Sequence, residues 1–453
     1  MRIHLIAIGG SAMHNMALSL QQKGYKITGS DDEINEPSKT RLATAGLLPT
    51  EIGWFADKIT KDIDAVILGM HAREDNSELI KARALGLKIY SYPEYIYEQT
   101  KDKTRIVIGG SHGKTTITSM ILHVLKQLTI DADFMVGAQL AGFDTMVKLT
   151  KEAKYAVIEG DEYLASPIDR RPKFHLYHPN IAIISGIAWD HINVFPTFDV
   201  YVEQFRKFIG LIEDKGTLIY CEHDVELKKL ANENINSHIK QVGYGIPKHR
   251  VINGETSIEF NKQYIPLEIF GDHNLMNLNA ARLVCNAIGI SDEKFYHAIS
   301  NFKGAAKRLE LVKKTTDFAL YKDFAHSPSK LKATVSAVKQ QFPTRKLVAC
   351  MELHTFSSLT EEFLKEYKGA MNEADEAIVY FNPHTIAHKK LKPITEEQVQ
   401  DAFARKDIKT YTESSKLMEY LCSKKWKNSN LLLMSSGNFD GIDCNKLGER
   451  LSY

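Results

Sequence analysis

The sequence has almost no excess of charge of one sign. Lys and Arg number 58 against 56 Asp and Glu, a formal net charge of +2 over 453 residues. Nucleic-acid binders gain most of their affinity by neutralising phosphates, so this balance argues against a nucleic-acid partner and leaves room only for a local basic pocket. Long apolar runs are missing too: none approaches the ~18 residues a membrane helix needs, so no membrane partner is expected. The opening MRIHLIAIGG is too short for a signal peptide and ends in glycines rather than a small-x-small cleavage site. It reads as a buried strand entering a glycine turn, with the cytoplasm as the expected location. Cysteine is scarce: Cys221, Cys285, Cys350, Cys422 and Cys444 are scattered without a C-x-x-C pair. They are expected to be buried thiols in a reducing compartment. There is no low-complexity segment and no repeat at a period of 20–50 residues.

What is present is ordinary globular composition, 43% hydrophobic and 25% charged, in a chain long enough for about three domains. RIHLIAI (2–8), YKITGSD (25–31), DAVILGM (64–70) and KIYSY (88–92) read as strands, with helices between them. RIVIGG (105–110), YAVIEGDE (155–162) and NIAIISGI (180–187) continue the pattern, and helical and strand-like segments then alternate to about residue 310. FALYKDF (318–324), KLVACMEL (346–353), EAIVYF (376–381) and NLLLMSSG (430–437) make a third group. Strands alternating with helices predict α/β units with parallel sheets covered on both faces. The charged stretch EQTKDKTR (98–105) is the first expected linker.

IGGSHGKTT (108–116) is the sharpest local signal. A glycine turn between strand and helix lets backbone N–H groups face an anion at the positive end of the helix. Gly110, Ser111, His112, Gly113, Lys114, Thr115 and Thr116 form the turn, followed by a helix with Ile117, Met120, Ile121, Val124, Leu125 and Leu128 on one face. Lys114 can reach β- and γ-phosphates and Thr115 can hold Mg²⁺. The strict G-x-x-x-x-G-K-[ST] pattern fails at Ile108; the shorter G-[ST]-x-G-K-T-T remains. Such a loop needs a second carboxylate for the metal on a neighbouring strand, and Glu159 ends YAVIE. His191, a few residues beyond another strand, is the third candidate for one or two Mg²⁺ ions.

The first glycine turn, AIGGSAM, is a degraded dinucleotide fingerprint: Ala7, Gly9 and Ala12 stand at its three glycine positions, and Asp31 follows Gly9 by 22 residues. An NAD-dependent oxidoreductase is a remote alternative. A pyrophosphate at this helix start, with Ser30 and Asp31 near a sugar or base, is the preferred expectation.

Taken together these residues resemble the Mur ligase family, ATP-dependent enzymes that join amino acids or peptides to UDP-N-acetylmuramic acid. GGSHGKTT is similar to the family's ATP loop, IEGDEY to the stretch with its metal-binding Glu (Glu159), and DH (190–191) to its metal-binding His (His191). GDHNLMNLNAA (271–281) is similar to the helix whose Asn faces adenine, here Asn277 with Asn274 before it. KDFAHSP (322–328) resembles the start of the third domain, where Asp323 would meet the ATP ribose, and SSGNFDGI (435–442) its last glycine turn. The resemblance implies three domains: a Rossmann-like UDP-sugar-binding domain (1–103), a central P-loop ATPase-like domain (104–313) and a C-terminal Rossmann-like acceptor domain (314–453). It implies UDP-N-acetylmuramate at Gly9, Gly10, Ser11, Ser30, Asp31 and Asn76, ATP phosphate against Arg308, and the acceptor amine near His326 and His354.

Two branches of the family fit, one adding L-alanine, the other attaching recycled L-alanyl-γ-D-glutamyl-meso-diaminopimelate. DRRPKFHLYHP (169–179) and KRLELV (307–312) resemble the second. The alanine branch has two arginines in P-H-R-x-[ST]-R that would clamp the amino-acid carboxylate; Thr355 and Ser358 stand there instead. Leu353 and His354 depart from the tripeptide branch as well, and Gly186, Lys322 and Ser327 depart from family residues elsewhere. The tripeptide ligase is the expected activity and the L-alanine ligase the alternative. A P-loop ATPase or kinase that forms no peptide bond is the competing class.

Overall fold

The computed structural model describes residues 1–140, 142–189, 194–233, 235–304 and 308–451. By its internal contacts the chain divides into two compact units, Met1–Gly245 with Met276–Ile299, and Ile246–Leu275 with Ser300–Tyr453.

The first unit carries two sheets. β1 (Arg2–Ile6), β2 (Lys26–Ser30), β3 (Ala65–Leu68) and β4 (Ile89–Ser91) form a four-stranded parallel sheet in the order 2-1-3-4. β1 and β3 are central and almost wholly buried, which is why RIHLI and AVIL are continuous apolar runs rather than alternating ones. β5 (Thr104–Gly109), β6 (Ala132–Met135), β7 (Val147–Lys148), β8 (Tyr155–Glu159), β9 (Ile181–Ile184), β10 (Thr217–Cys221) and β11 (Lys240–Tyr244) form the second sheet, in the order 11-10-9-5-8-6-7. Only β7 runs antiparallel. The Lys114–Gln127 helix buries Ile117, Met120, Ile121, Val124 and Leu125, the expected face, while Leu128 is its half-buried C-cap.

The expected linker at 98–105 shrinks to residues 101–103. Residues 98–100 finish the Tyr92–Thr100 helix, and β5 starts at Thr104. Arg105 is buried, its guanidinium donating to the carbonyls of Lys101 (2.6 Å), Tyr177 (3.0 Å) and His178 (2.9 Å) and to Glu213 (3.1 Å). A charged stretch reads as solvated until its cation is seen satisfying carbonyls left over at strand and helix ends.

In the second unit, β12 (His249–Ile252), β13 (Glu255–Phe260) and β14 (Gln263–Leu267) form a three-stranded antiparallel sheet. The expected helix–strand alternation to residue 310 therefore fails here. The turn signals were present: Asn253-Gly254 and Asn261-Lys262 all adopt positive φ, the geometry of two-residue hairpins. β15 (Glu310–Lys314), β16 (Phe318–Asp323), β17 (Lys346–Leu353), β18 (Glu376–Phe381), β19 (Lys409–Tyr411) and β20 (Ser429–Met434) form a six-stranded sheet in the order 15-16-20-17-18-19. β15 is antiparallel to β16 and the other pairings are parallel. Because β15 belongs to this sheet, its last residue is where the third domain was expected to begin, and residues 246–275 also group with this unit rather than with the preceding one.

Cys221, Cys285 and Cys350 are buried free thiols as expected; Cys422 is exposed and Cys444 half-buried. No helix among the described residues is long and apolar enough to cross a membrane.

Candidate active site

β5 lies between β9 and β8, and the 110–113 loop leaves its C-terminal end. Parallel register sets Ile108 beside Glu159 and Gly109 beside Ile184, so the neighbouring strands deliver their own C-terminal residues to the loop. Gly113 is the N-cap of the Lys114–Gln127 helix with φ +75°. A Cβ there would fall 2.4 Å from Asn277 Oδ1, so the loop and the Asn277 side chain are in intimate contact. Ser111 N–H donates to Gly186 O at 3.0 Å, and the Ser185 hydroxyl donates to the carbonyl of His112.

Lys114 Nζ donates to Gly110 O at 2.7 Å and to Glu162 Oε2 at 2.7 Å. Burial works against its ammonium, but the carboxylates of Glu162, Asp161 and Glu159 outweigh burial and raise its pKa above the ordinary lysine value. Thr115 Oγ1 donates to Glu159 Oε1 at 2.9 Å, and the other Glu159 oxygen accepts from Gly137 N–H at 2.9 Å. A hydroxyl and a carboxylate oxygen facing each other at the loop are the hard oxygen donors that suit Mg²⁺. Thr116 is buried, its carbonyl accepting from Ser119 Oγ at 2.9 Å. His191 lies outside the described residues.

Sequence reasoning missed Glu162, Asp161, Lys173 and Tyr201. Lys173 pairs with Asp161 at 2.5 Å and lies over the rings of Tyr92 and Tyr163 at 5.7 and 5.9 Å. The Asp161 carboxyl is held low despite its burial, by Lys173 and Lys114. The signal was the GDE run itself: two adjacent acids, Asp161 and Glu162, separated from Glu159 only by Gly160 at the strand end.

At the first glycine turn the expected ligand groups are bonded among themselves. Gly9 N–H donates to Asp31 Oδ2 at 2.6 Å, and Asp32 N–H to Asp31 Oδ1 at 3.0 Å. Burial pushes the Asp31 carboxyl up. Gly10 caps the Ser11–Gln22 helix, and Ser11 Oγ donates to Met146 Sδ at 3.4 Å. Ser30 is fully buried against Lys58 and Glu78, so it does not present its hydroxyl to a sugar. Asn76 Oδ1 accepts from Glu78 N–H (3.0 Å) and Leu79 N–H (3.1 Å), capping a helix. Both polar side chains answer backbone or buried charge, a demand the linear motif does not display.

In the second unit, Asp323 is buried, and its two oxygens accept from Leu309 N–H and Ala325 N–H, both at 2.6 Å. Its carboxylate shapes a turn as well as standing where a ribose contact was expected. Arg308 lies over the Phe324 ring at 5.3 Å, and Asn274 Nδ2 donates to Phe270 O at 3.0 Å. His326 Nδ1 donates to Phe324 O at 2.8 Å. His354, partly exposed, lies 3.6 Å from the buried Glu352. Thr355 and Ser358 hold their own turn: Ser358 N–H donates to Thr355 Oγ1 (3.1 Å) and Ser358 Oγ to Thr355 O (3.0 Å).

A phosphate loop on the central strand of a parallel sheet, with a threonine hydroxyl against a carboxylate and a lysine held between protein acceptors, defines a nucleotide-triphosphate-using α/β enzyme. Three family comparisons agree along the chain. The Mur ligase family catalytic domain matches residues 2–104, the Mur ligase middle domain 108–285, and the Mur ligase glutamate ligase domain 307–437. A UDP-N-acetylmuramate–L-alanine ligase of Caldicellulosiruptor bescii is 32% identical over 410 residues, 87% of this chain and 86% of that one. One of Clostridium kluyveri is 30% identical over 392 residues, 83% and 82% of the two chains. Among solved structures, the UDP-N-acetylmuramate–alanine ligase of Thermotoga maritima matches with TM-score 0.68 at 20% identity, covering 100% of this chain and 98% of that one. A murein peptide ligase of Psychrobacter arcticus matches with TM-score 0.61 at 23% identity over the same shares, and at such identities both speak for the fold alone. The chain belongs to the Mur ligase family. It is an ATP-dependent ligase that forms a carbon–nitrogen bond and uses ATP and Mg²⁺.

Proposed function

We propose that this ligase joins L-alanyl-γ-D-glutamyl-meso-diaminopimelate to UDP-N-acetylmuramate, a step that reuses peptide recovered from the cell wall, in the cytoplasm where ATP and nucleotide sugars are made. A carboxylate does not condense with an amine at useful rates, because its oxygen is a poor leaving group. In the proposed reaction the muramyl carboxylate takes the γ-phosphoryl group of ATP, releasing ADP. The acceptor amine then attacks the carbonyl carbon, loses a proton and expels phosphate. Lys114 would stabilise charge on the transferring group, and Thr115 and Glu159, with His191, would hold Mg²⁺. The metal supplies Lewis-acid stabilisation of phosphoryl oxygens when bound. Gly110 to Thr116, Asn274, Asn277, Arg308 and Asp323 are proposed for ATP, the Gly9–Ser11 turn with Asp31 for the UDP-sugar, and His326 and His354 for the acceptor. Domain limits of 1–103, 104–313 and 314–453 go with these roles, with β15 joining the last.

The acceptor assignment is carried by one observation: Thr355 and Ser358 bond to each other where an alanine carboxylate would need guanidinium partners. A free amino acid offers little beyond its charged ends, so loss of its clamp costs on the order of 2–5 kcal/mol. A tripeptide spreads its binding over more groups. The second reading, ligation of L-alanine, is favoured by the names of the relatives at 30–32% identity. Phosphate release from ATP with UDP-N-acetylmuramate decides between them. A kcat/KM for L-alanine equal to or above that for the tripeptide would give the site to the amino acid.

A further inference from the structure

We propose that Glu162 and Tyr201 are positioning residues for phosphoryl transfer, tying the second residue of the phosphate loop to its lysine and aiming the N–H of Lys114 that no described residue accepts. This rests on Lys114 being the ATP-loop lysine.

An ammonium has three N–H donors and no acceptor. Two of those of Lys114 are taken by protein, at Gly110 O and Glu162 Oε2, both at 2.7 Å. Tetrahedral geometry then fixes the direction of the third, which is left for a phosphate oxygen. Without Glu162 a single acceptor, Gly110 O, would hold the ammonium against rotation about its last bond; with both, the group is set before the nucleotide arrives. Such preorganisation raises the rate because no reorientation is needed as charge develops.

Glu162 is itself held. Tyr201 Oη donates to its other oxygen at 3.2 Å. Tyr201 and Ser111 Oγ are 2.9 Å apart, and Ser111 Oγ accepts from Ala188 N–H at 2.8 Å. Because the tyrosine proton goes to the carboxylate, Ser111 must donate to the tyrosine. The order is therefore fixed: Ala188 N–H to Ser111, Ser111 to Tyr201, Tyr201 to Glu162, and Lys114 to Glu162 from the other side. Ser111, Tyr201 and Glu162 are all buried, so each link sits in a low dielectric where hydrogen bonds polarise one another. Tyr201 comes from the Phe198–Gly210 helix, remote in sequence from both the loop and Glu162, and its ring is packed between Phe195 and Phe205 at 5.5 and 5.2 Å. Those rings place the hydroxyl. The chain thus clamps the loop at its second residue and at its lysine through one buried carboxylate.

The test compares Glu162→Gln, Tyr201→Phe and Lys114→Ala in the full-length enzyme. Steady-state phosphate release is measured with ATP varied and the acid and amine substrates saturating, and melting temperature is read for each protein. A Gln keeps the shape but cannot accept from both partners with equal strength; a Phe removes only the bridging hydroxyl. Expected is a fall in kcat of roughly 10- to 100-fold for Glu162→Gln and about 5- to 10-fold for Tyr201→Phe, with KM for ATP moving less than about threefold. Ser111→Ala combined with Tyr201→Phe should lose little more than either alone, since both break one chain. Wild-type kcat in the Gln and Phe variants would overturn the assignment. So would a lower melting temperature with unchanged kcat per folded molecule, the mark of a purely structural network. If Glu162→Gln does not fold, Tyr201→Phe decides alone. Activity retained in Lys114→Ala would instead mean that the ATP-loop assignment itself is wrong.

Discussion

Gly113→Ala probes the loop more sharply than removal of any charged group, because it adds a single carbon at a place whose surroundings are known. The backbone there has φ +75°, a conformation that costs an L-residue about 1–2 kcal/mol. The added Cβ would fall 2.4 Å from Asn277 Oδ1 and 3.1 Å from Asn277 Cγ. To reach ordinary separation the amide must withdraw by about 1 Å or change rotamer, which for an almost buried side chain costs a further ~1 kcal/mol or more. The expected loss is about 2–4 kcal/mol, divided between folding of the first unit and closure of the loop on phosphate. ATP affinity, measured by calorimetry, should weaken by at least tenfold, and the melting temperature should fall. Gly113→Ala with Asn277→Ala removes the collision but keeps the backbone strain, so the double variant should recover part of the stability lost by the single one. Wild-type melting and ATP affinity in Gly113→Ala would refute the loop conformation described above, and no recovery in the double variant would refute the contact with Asn277.

Other outcomes follow from separate features. Glu159→Ala leaves Thr115 Oγ1 and Gly137 N–H without their acceptor, so activity should survive only at raised Mg²⁺; an unchanged Mg²⁺ titration would remove Glu159 from the metal site. His175 donates to Gln204 O at 2.7 Å and stacks on Phe174, and burial pulls its pKa down to about 4. The folded state therefore refuses a proton that the unfolded chain accepts near pH 6.5. Its contribution is complete above that pH and is lost as pH falls toward 4, by up to about 3 kcal/mol; urea titrations across that window should show the slope, and His175→Gln should flatten it. Glu376 accepts from Lys424 (2.7 Å) and Lys346 (3.0 Å), with Lys409 at 3.3 Å, so Glu376→Ala leaves three ammonium groups facing one another. Lys346 and Lys409 are nearly half exposed and can turn to solvent, so the second unit should lose about 1–2 kcal/mol, read by denaturant unfolding with salt varied; an effect confined to the first unit would contradict the assignment.

The most deeply buried strands of the three large sheets were largely legible because, covered on both faces, they are spelled as apolar runs, AVIL and EAIVYF among them; half-exposed strands such as Lys240–Tyr244 and Glu310–Lys314 carry no such run and were not read. Lys114, Thr115 and Glu159 were legible for a related reason: a glycine turn fixes where a side chain goes relative to the strand end before it. Glu162 and Tyr201 were not, because their partners lie 48 and 90 residues away and only a completed sheet brings them together. Ser30 and Asn76 misled in the opposite sense. Their type suits a sugar hydroxyl as well as it suits a buried carboxylate or a helix cap, and a linear pattern cannot tell these demands apart. The β12–β14 sheet was overlooked although its Asn-Gly turn was in plain view, since expectation of alternating helices outweighed a local signal.

The lateral pairing of β5 with β8 and β9 has a consequence for how this chain can change in length. Strand side chains alternate with a period of two, so deleting one residue within Tyr155–Glu159 would turn the terminal carboxylate to the opposite face of the sheet. The same holds for Thr104–Gly109, whose last residue faces Ile184. No gradual adjustment lies between the working arrangement and its mirror: the distance from threonine to carboxylate is set by counting. Insertions and deletions are therefore barred from these few strands and admitted at exposed connections such as the turn at Gly86, where an added residue lengthens a link between helix and strand and moves no register.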